Sequence, residues 1–419
     1  MHPRRLILIV FLIVGLSFPL ASMIDLRSGG ATDYDIDLGL IQKDIAEVKE
    51  RALTPPIEVP LASRFVYRVY QRAMLSGAPD DLQAAESAIN RAIGEVGPLV
   101  ELYLLRANLH SRLHRLEKVE SDVAALERFA GDAQVIALTA GLAFQRGRYE
   151  EARKGYLLAL QKNPTWDNFA RLAYWESKFG DLEIAHKLYA QAENELSAKE
   201  MRSYAWVELE RGLLELYRGN QQNAARHYDQ AEKAYSGYWL ADERKAELLG
   251  SERKFDEAIA LYKKAITRAP RPEFQQALGD LFLFIGKPAQ AKPWHDAALA
   301  GYLASAARRE VHYYHHLAGF YADARQDGAE AVKWARKDIE LRDNFMTQDA
   351  LAWALYRDGQ FPAALEVIKK TLVSGVKDPH VLFHAAMIHM AAGQIGEGKR
   401  LLQTVSQMNP GYENFHVHR

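Results

Sequence analysis

From about Leu61 onward, apolar positions recur every three to four residues, as on helices that bury one face. No run alternates apolar and polar between turn residues, so the chain is expected to be all-α. A finer pattern rides on this rhythm. "RGRYEEARKGYLLALQKNP" (residues 146–164) sets a glycine and an aromatic ahead of Ala152, Tyr156, Ala159 and Pro164. "FGDLEIAHKLYAQA" repeats it with Gly180, Ala185, Tyr189 and Ala192, and "RGNQQNAARHYDQA" with Gly219, Ala224, Tyr228 and Ala231. "RKFDEAIALYKKAITRAP" supplies Phe255, Ala258, Tyr262, Ala265 and Pro270. A small residue lets two helices approach, an aromatic four residues on lies on the same face, glycine turns the chain and proline stops the helix.

The small position runs Ala152, Ala185, Ala224, Ala258, Ala291, Ala331, Ala364 and Gly398, at intervals of 33, 39, 34, 33, 40, 33 and 34. Stepping back reaches Val119 and Ala85, at 33 and 34. Ten units result, with insertions expected near "LSAKEMRS" and "GYLASAARRE". Over residues 64–410 this resembles the tetratricopeptide repeat, a helix–turn–helix unit of about 34 residues. "DALAWALYRDGQFPAAL" and "FHAAMIHMAAGQ" further resemble exported bacterial members. The resemblance implies a right-handed α-solenoid of about ten repeats. Residues 61–131 are the degenerate repeats, 132–410 the regular array and 411–419 a C-terminal tail.

Such arrays bind partners on a concave face lined by the first helix of each repeat. The resemblance puts Tyr174, Trp206, Tyr217 and Phe284 on that groove. Farther on come Tyr313, His316 and Phe320, then Asp349, Trp353 and Tyr356, and finally Phe383 and Met387. His315 is expected in inter-helix packing. An aromatic and methionine-rich lining with scattered carboxylates suits a peptide or a partner helix.

Arg4 and Arg5 precede an apolar run from Leu6 to Leu20. A positive end before such a run directs export, with residues 1–24 acting as a cleaved signal peptide or a retained membrane anchor. Periplasmic localisation follows, with the protein anchored to the inner membrane or released. Residues 25–60, polar, glycine-containing and broken by "LTPPIEVP", read as a linker with one short helix over residues 40–53.

Composition narrows the chemistry. At 48% hydrophobic and 26% charged the chain is a folded protein. Its net charge of −1, without a block of like charges, gives nucleic acid nothing to hold. The absence of cysteine excludes disulfides, thiolate nucleophiles and Cys-ligated metals. There is no H-E-x-x-H or G-x-S-x-G, and "GQIGEGK" lacks phosphate-loop spacing. No enzymatic activity and no cofactor are expected. Eight of the 14 histidines lie from His312 onward. His312 and His316, one helical turn apart, together with Asp349 form a candidate metal set. The leading expectation is a protein-binding scaffold supporting an envelope complex. Metal handling is the alternative, and a catalytic site between repeats the third.

Overall fold

The computed structural model describes residues 30–416. The apolar segment at residues 1–24 and His418 lie outside them. Among the described residues there are 21 α-helices and no strand, and no helix is long and apolar enough to cross a membrane.

The stretch read as a linker holds a longer helix than its sequence suggested. α1 (Asp33–Ala52) starts at Thr32, whose side chain and that of Asp35 cap each other's backbone N–H groups. Its buried face packs on α2 (Val59–Ser76). Ten antiparallel pairs follow. Repeat 1 is α2 with α3 (Pro79–Val96), and repeat 2 is α4 (Val100–Arg112) with α5 (Leu116–Ala125). Repeat 3 is α6 (Ala133–Gln145) with α7 (Tyr149–Lys162), and repeat 4 is α8 (Trp166–Phe179) with α9 (Leu182–Asn194). Repeat 5 is α10 (Met201–Tyr217) with α11 (Gln221–Ala234), and repeat 6 is α12 (Trp239–Ser251) with α13 (Phe255–Arg268). Repeat 7 is α14 (Pro272–Phe284) with α15 (Pro288–Ala307). Repeat 8 is α16 (Tyr314–Gly319), continued by a π-turn at Phe320–Ala324, with α17 (Gly328–Leu341). Repeat 9 is α18 (Phe345–Arg357) with α19 (Phe361–Val373), and repeat 10 is α20 (Pro379–Ala391) with α21 (Ile395–Met408).

The small position of the sequence motif is the fourth residue of the second helix in repeats 2 to 10 and the seventh in repeat 1, and there the helices nearly touch. Ala85, Ala152, Ala185, Ala224, Ala258, Ala331 and Ala364 are all fully buried. At Gly398 even a methyl has no room, since a Cβ would lie 2.3 Å from Met390 Cγ and 2.8 Å from the Ala386 carbonyl oxygen. The two long intervals are absorbed partly as helix and partly as longer turns. α10 has 17 residues and begins at Met201 after a turn through "LSAKE", and α15 runs 20 residues into "GYLASAARRE", ending at Ala307.

The array winds until it meets itself. Trp239 Nε1 donates to the Leu75 carbonyl at 3.1 Å, and Arg268 donates to Thr32 Oγ1 at 3.0 Å. Repeat 3 meets the turn leading into repeat 9, where Asn344 Nδ2 donates to the Gln145 carbonyl at 3.3 Å. Repeat 4 meets repeat 10, where Lys178 Nζ lies 2.6 Å from Asp378 Oδ2. The concave face is therefore turned inward around a closed centre.

His114 stands at one of these junctions. It occupies the left-handed turn of repeat 2 with φ of 56°, and its Nε2 lies 3.4 Å from Arg342 Nη1. Burial, with Arg342 second, holds its pKa well below the usual 6.5. The unfolded chain thus binds a proton there that the folded chain refuses, and stability falls as pH drops through 6.5. In His114→Asn, a residue that tolerates positive φ, the loss of unfolding free energy from pH 7 to pH 5 should shrink by about 2 kcal/mol. Urea titrations at the two pH values check this, and an unchanged difference refutes it.

Candidate functional site

The inward face encloses a cavity of about 520 Å³. The first helices of repeats 4 to 10 all border it, from Tyr174 on α8 through Tyr217, Glu247, Asp280 and His316 to Asp349 on α18 and His380 on α20. The chain after α21 closes one side. Phe415, only 1% exposed, packs 5.7 Å from the Phe284 ring and against Gly250.

Of the residues expected on the groove, Tyr174, Tyr217, Phe284, His316, Asp349 and Trp353 border this cavity. The others do not. Tyr313 and Phe320 are buried against Tyr302, at ring distances of 5.1 and 6.2 Å, because the extended α15 lies over the short α16. Trp206 packs edge-on to Trp166 at 6.0 Å. Tyr356 stacks on Trp353 at 4.8 Å, Phe383 lies 5.1 Å from Tyr412, and Met387 packs into the core. His315, expected in packing, borders the cavity with Nδ1 3.5 Å from Asp338 Oδ2.

The candidate metal set is regrouped. His312 is not on the cavity wall, and burial pushes its pKa down to about 4. His316 stacks flat on Tyr302 at 5.6 Å. Asp349 instead meets His380 and His384 of α20, and one ligand atom from each of the three lies within 4.8 Å of the others. His384 Nδ1 is 2.9 Å from Asp349 Oδ2, and its ring stacks on Trp353 at 4.0 Å. His380 Nδ1 is 3.3 Å from the Tyr412 hydroxyl.

Burial dominates the electrostatics here. It pushes Asp349 up to about 7 and His384 down to about 3, and it keeps His380 well below its ordinary value. The histidines are therefore neutral at pH 7, with ring lone pairs available to a ligand. Asp323, on the π-turn, is also pushed up to about 7 by burial, against the Trp353 Nε1 donor at 3.0 Å. Lys178 behaves oppositely. Burial works against its charge, but Asp378, Tyr174 and Tyr217 outweigh that and hold it protonated. Lys178, Asp378 and Asp323 were not singled out from the sequence. Only the winding of the array brings the first two together, and no local motif marks the third.

One stretch of the chain matches a known repeat family. Residues 243–272, from α12 into the start of α14, match the family described as tetratricopeptide repeat. No curated protein sequence matches the chain. Among solved structures it is similar to a chain in the crystal structure of the APC/C hetero-tetramer Cut9–Hcn1. That match has 15% identity over 90% of this chain and 80% of that one, with a TM-score of 0.41. It is also similar to the human IFIT1 dimer with PPP-AAAA, at 12% identity over 88% and 94% of the two chains, with a TM-score of 0.44.

Proposed function

We propose that this chain, whose repeats match the tetratricopeptide family over residues 243–272, is a non-enzymatic scaffold receiving an extended segment of an envelope protein in its central cavity. The observation that carries this reading is the convergence of seven successive first helices on one space edged by aromatic rings, carboxylates and histidines. Large flat side chains supply contact area, and a few polar groups fix orientation. The volume of about 520 Å³ sits within the usual range for ligand pockets. In this reading the apolar segment behind Arg4 and Arg5 exports the chain and holds it at the inner membrane. Tethering there raises the local concentration of whatever assembles on it.

Leu283 tests the cavity without disturbing the fold, because it borders the space yet is 39% exposed. A photo-crosslinking residue at position 283 should capture one envelope protein. Leu283→Arg should weaken binding of that protein at least tenfold while leaving thermal unfolding unchanged. Equal binding by Leu283→Arg would remove the cavity from the account. Retention of the full chain in the membrane fraction after a salt wash, with the N-terminal mass intact, tests the tether.

A further inference from the structure

We propose that Asp349, His380 and His384 form a binding site for one divalent transition-metal ion of the zinc type, set in the wall of the central cavity. The site goes beyond the scaffold reading and stands whether or not a protein segment enters the cavity.

The local geometry follows from the repeat. His380 and His384 are four residues apart on α20, so both rings leave the same face of that helix. Asp349 comes from α18, the first helix of the preceding repeat, 35 residues before His384. The two first helices lie side by side, which brings one ligand atom of each residue within 4.8 Å of the others. Donors about 2.0–2.1 Å from a tetrahedral zinc ion stand roughly 3.4 Å apart. Rotation of the carboxylate and the rings covers the difference.

A second observation points to a ligand. Asp349 Oδ1 and His384 Nε2 are buried and have no hydrogen-bond partner. Buried polar atoms are nearly always satisfied, and a carboxylate oxygen and an imidazole nitrogen left without partners in one three-residue group are both atoms that a cation can take. Lys178, which also borders the cavity, is engaged by Asp378 and does not serve Asp349.

The surroundings are those of a held ligand set. The Nδ1–H of His380 can donate to the Tyr412 hydroxyl at 3.3 Å, which directs its Nε2 lone pair away from that contact. Trp353 fixes the plane of the His384 ring. Two nitrogens with one oxygen exclude magnesium and calcium, which require mostly oxygen donors, and favour zinc, cobalt or nickel. Because all three residues border the cavity, the remaining coordination position opens onto it. A side chain or small molecule entering there could complete the coordination.

The test uses the full chain, free of any histidine tag and stripped with a chelator. Zn²⁺ titrated by calorimetry should bind one ion per chain, and Co²⁺ should give visible absorption bands of a low-coordinate nitrogen–oxygen site. His380→Gln, at a half-buried position, should weaken Zn²⁺ binding at least a hundredfold with an unchanged melt, as should Asp349→Asn. Tyr412→Phe should weaken it about tenfold, as loss of an outer partner does. His312→Gln and His389→Gln, both outside the group, should bind as the parent does. Absence of saturable binding below about 10 µM, or binding that survives Asp349→Asn combined with His380→Gln, overturns the site.

Discussion

Phe345→Ala should lower the unfolding free energy by about 3–5 kcal/mol, the usual cost of emptying a buried aromatic site. Phe345 opens α18 and is 2% exposed. Its ring lies 5.5 Å from Phe179, 6.1 Å from Tyr149 and 6.4 Å from Phe144. Those partners belong to repeats 3 and 4, so the cluster joins one turn of the superhelix to the next. The damage should therefore be local to the junction before it is global. Hydrogen exchange should accelerate first at residues 145–149 and 178–180, while amides within repeats 5 to 7 stay protected. Phe361→Ala is the control. That ring is 36% exposed, and its loss should cost under about 1 kcal/mol. If the two variants lose equal stability, the aromatic junction does not hold the turns together.

What the sequence could and could not convey divides along the same line. The repeat phase was legible because each unit must solve the same local problem, the close crossing of two helices. Only alanine, glycine or the slightly larger valine fits at that crossing, and the sequence shows it at Ala85, Val119, Ala152 and onward to Gly398. The insertions were legible as intervals but not as helix extension in α15, since Pro293 sits inside that helix and reads as a breaker. The closure was not legible at all. It rests on pairs such as Lys178 with Asp378 and Gln145 with Asn344, some 200 residues apart, and no periodicity connects them.

The candidate site was half legible for a related reason. Asp349 and Trp353 were placed on the inner face by the groove positions that the family resemblance implies, carried along the repeat register. Yet register also offered Asp349 to His316, one repeat back. The choice between His316 and His384 is made by packing: the His316 ring lies flat on Tyr302, while the His384 ring, held by Trp353, turns Nδ1 towards Asp349. Tyr302 entered the picture only because α15 runs on past the usual helix length.

The other large effect is expected at the polar half of the junction. Lys178→Met should cost about 3–5 kcal/mol, because it leaves the Asp378 carboxylate buried without its partner. Lys178 and Asp378 expose only 14% and 11% of their side chains. The ammonium also sits 5.2 Å from the Tyr217 ring and 5.9 Å from the Tyr174 ring. Burial alone would raise the Asp378 pKa, but Lys178 outweighs it and holds the carboxyl below 3.8. The pair's stabilisation is thus present above the unfolded value and lost only as pH falls through the lower folded one. The double variant Lys178→Met with Asp378→Asn separates an unpaired charge from lost packing. Asparagine can still cap α20 through the Asp378 Oδ1 position that accepts from the His380 N–H at 2.9 Å. It carries no charge to strand. The double variant should therefore recover most of the stability that Lys178→Met loses, as buried pairs replaced by neutral groups commonly do. Chemical denaturation of the two single variants and the double variant gives the coupling directly. If the double variant is as unstable as Lys178→Met, the Lys178 stem packed on the two tyrosines holds the turns together, and the ion pair does not.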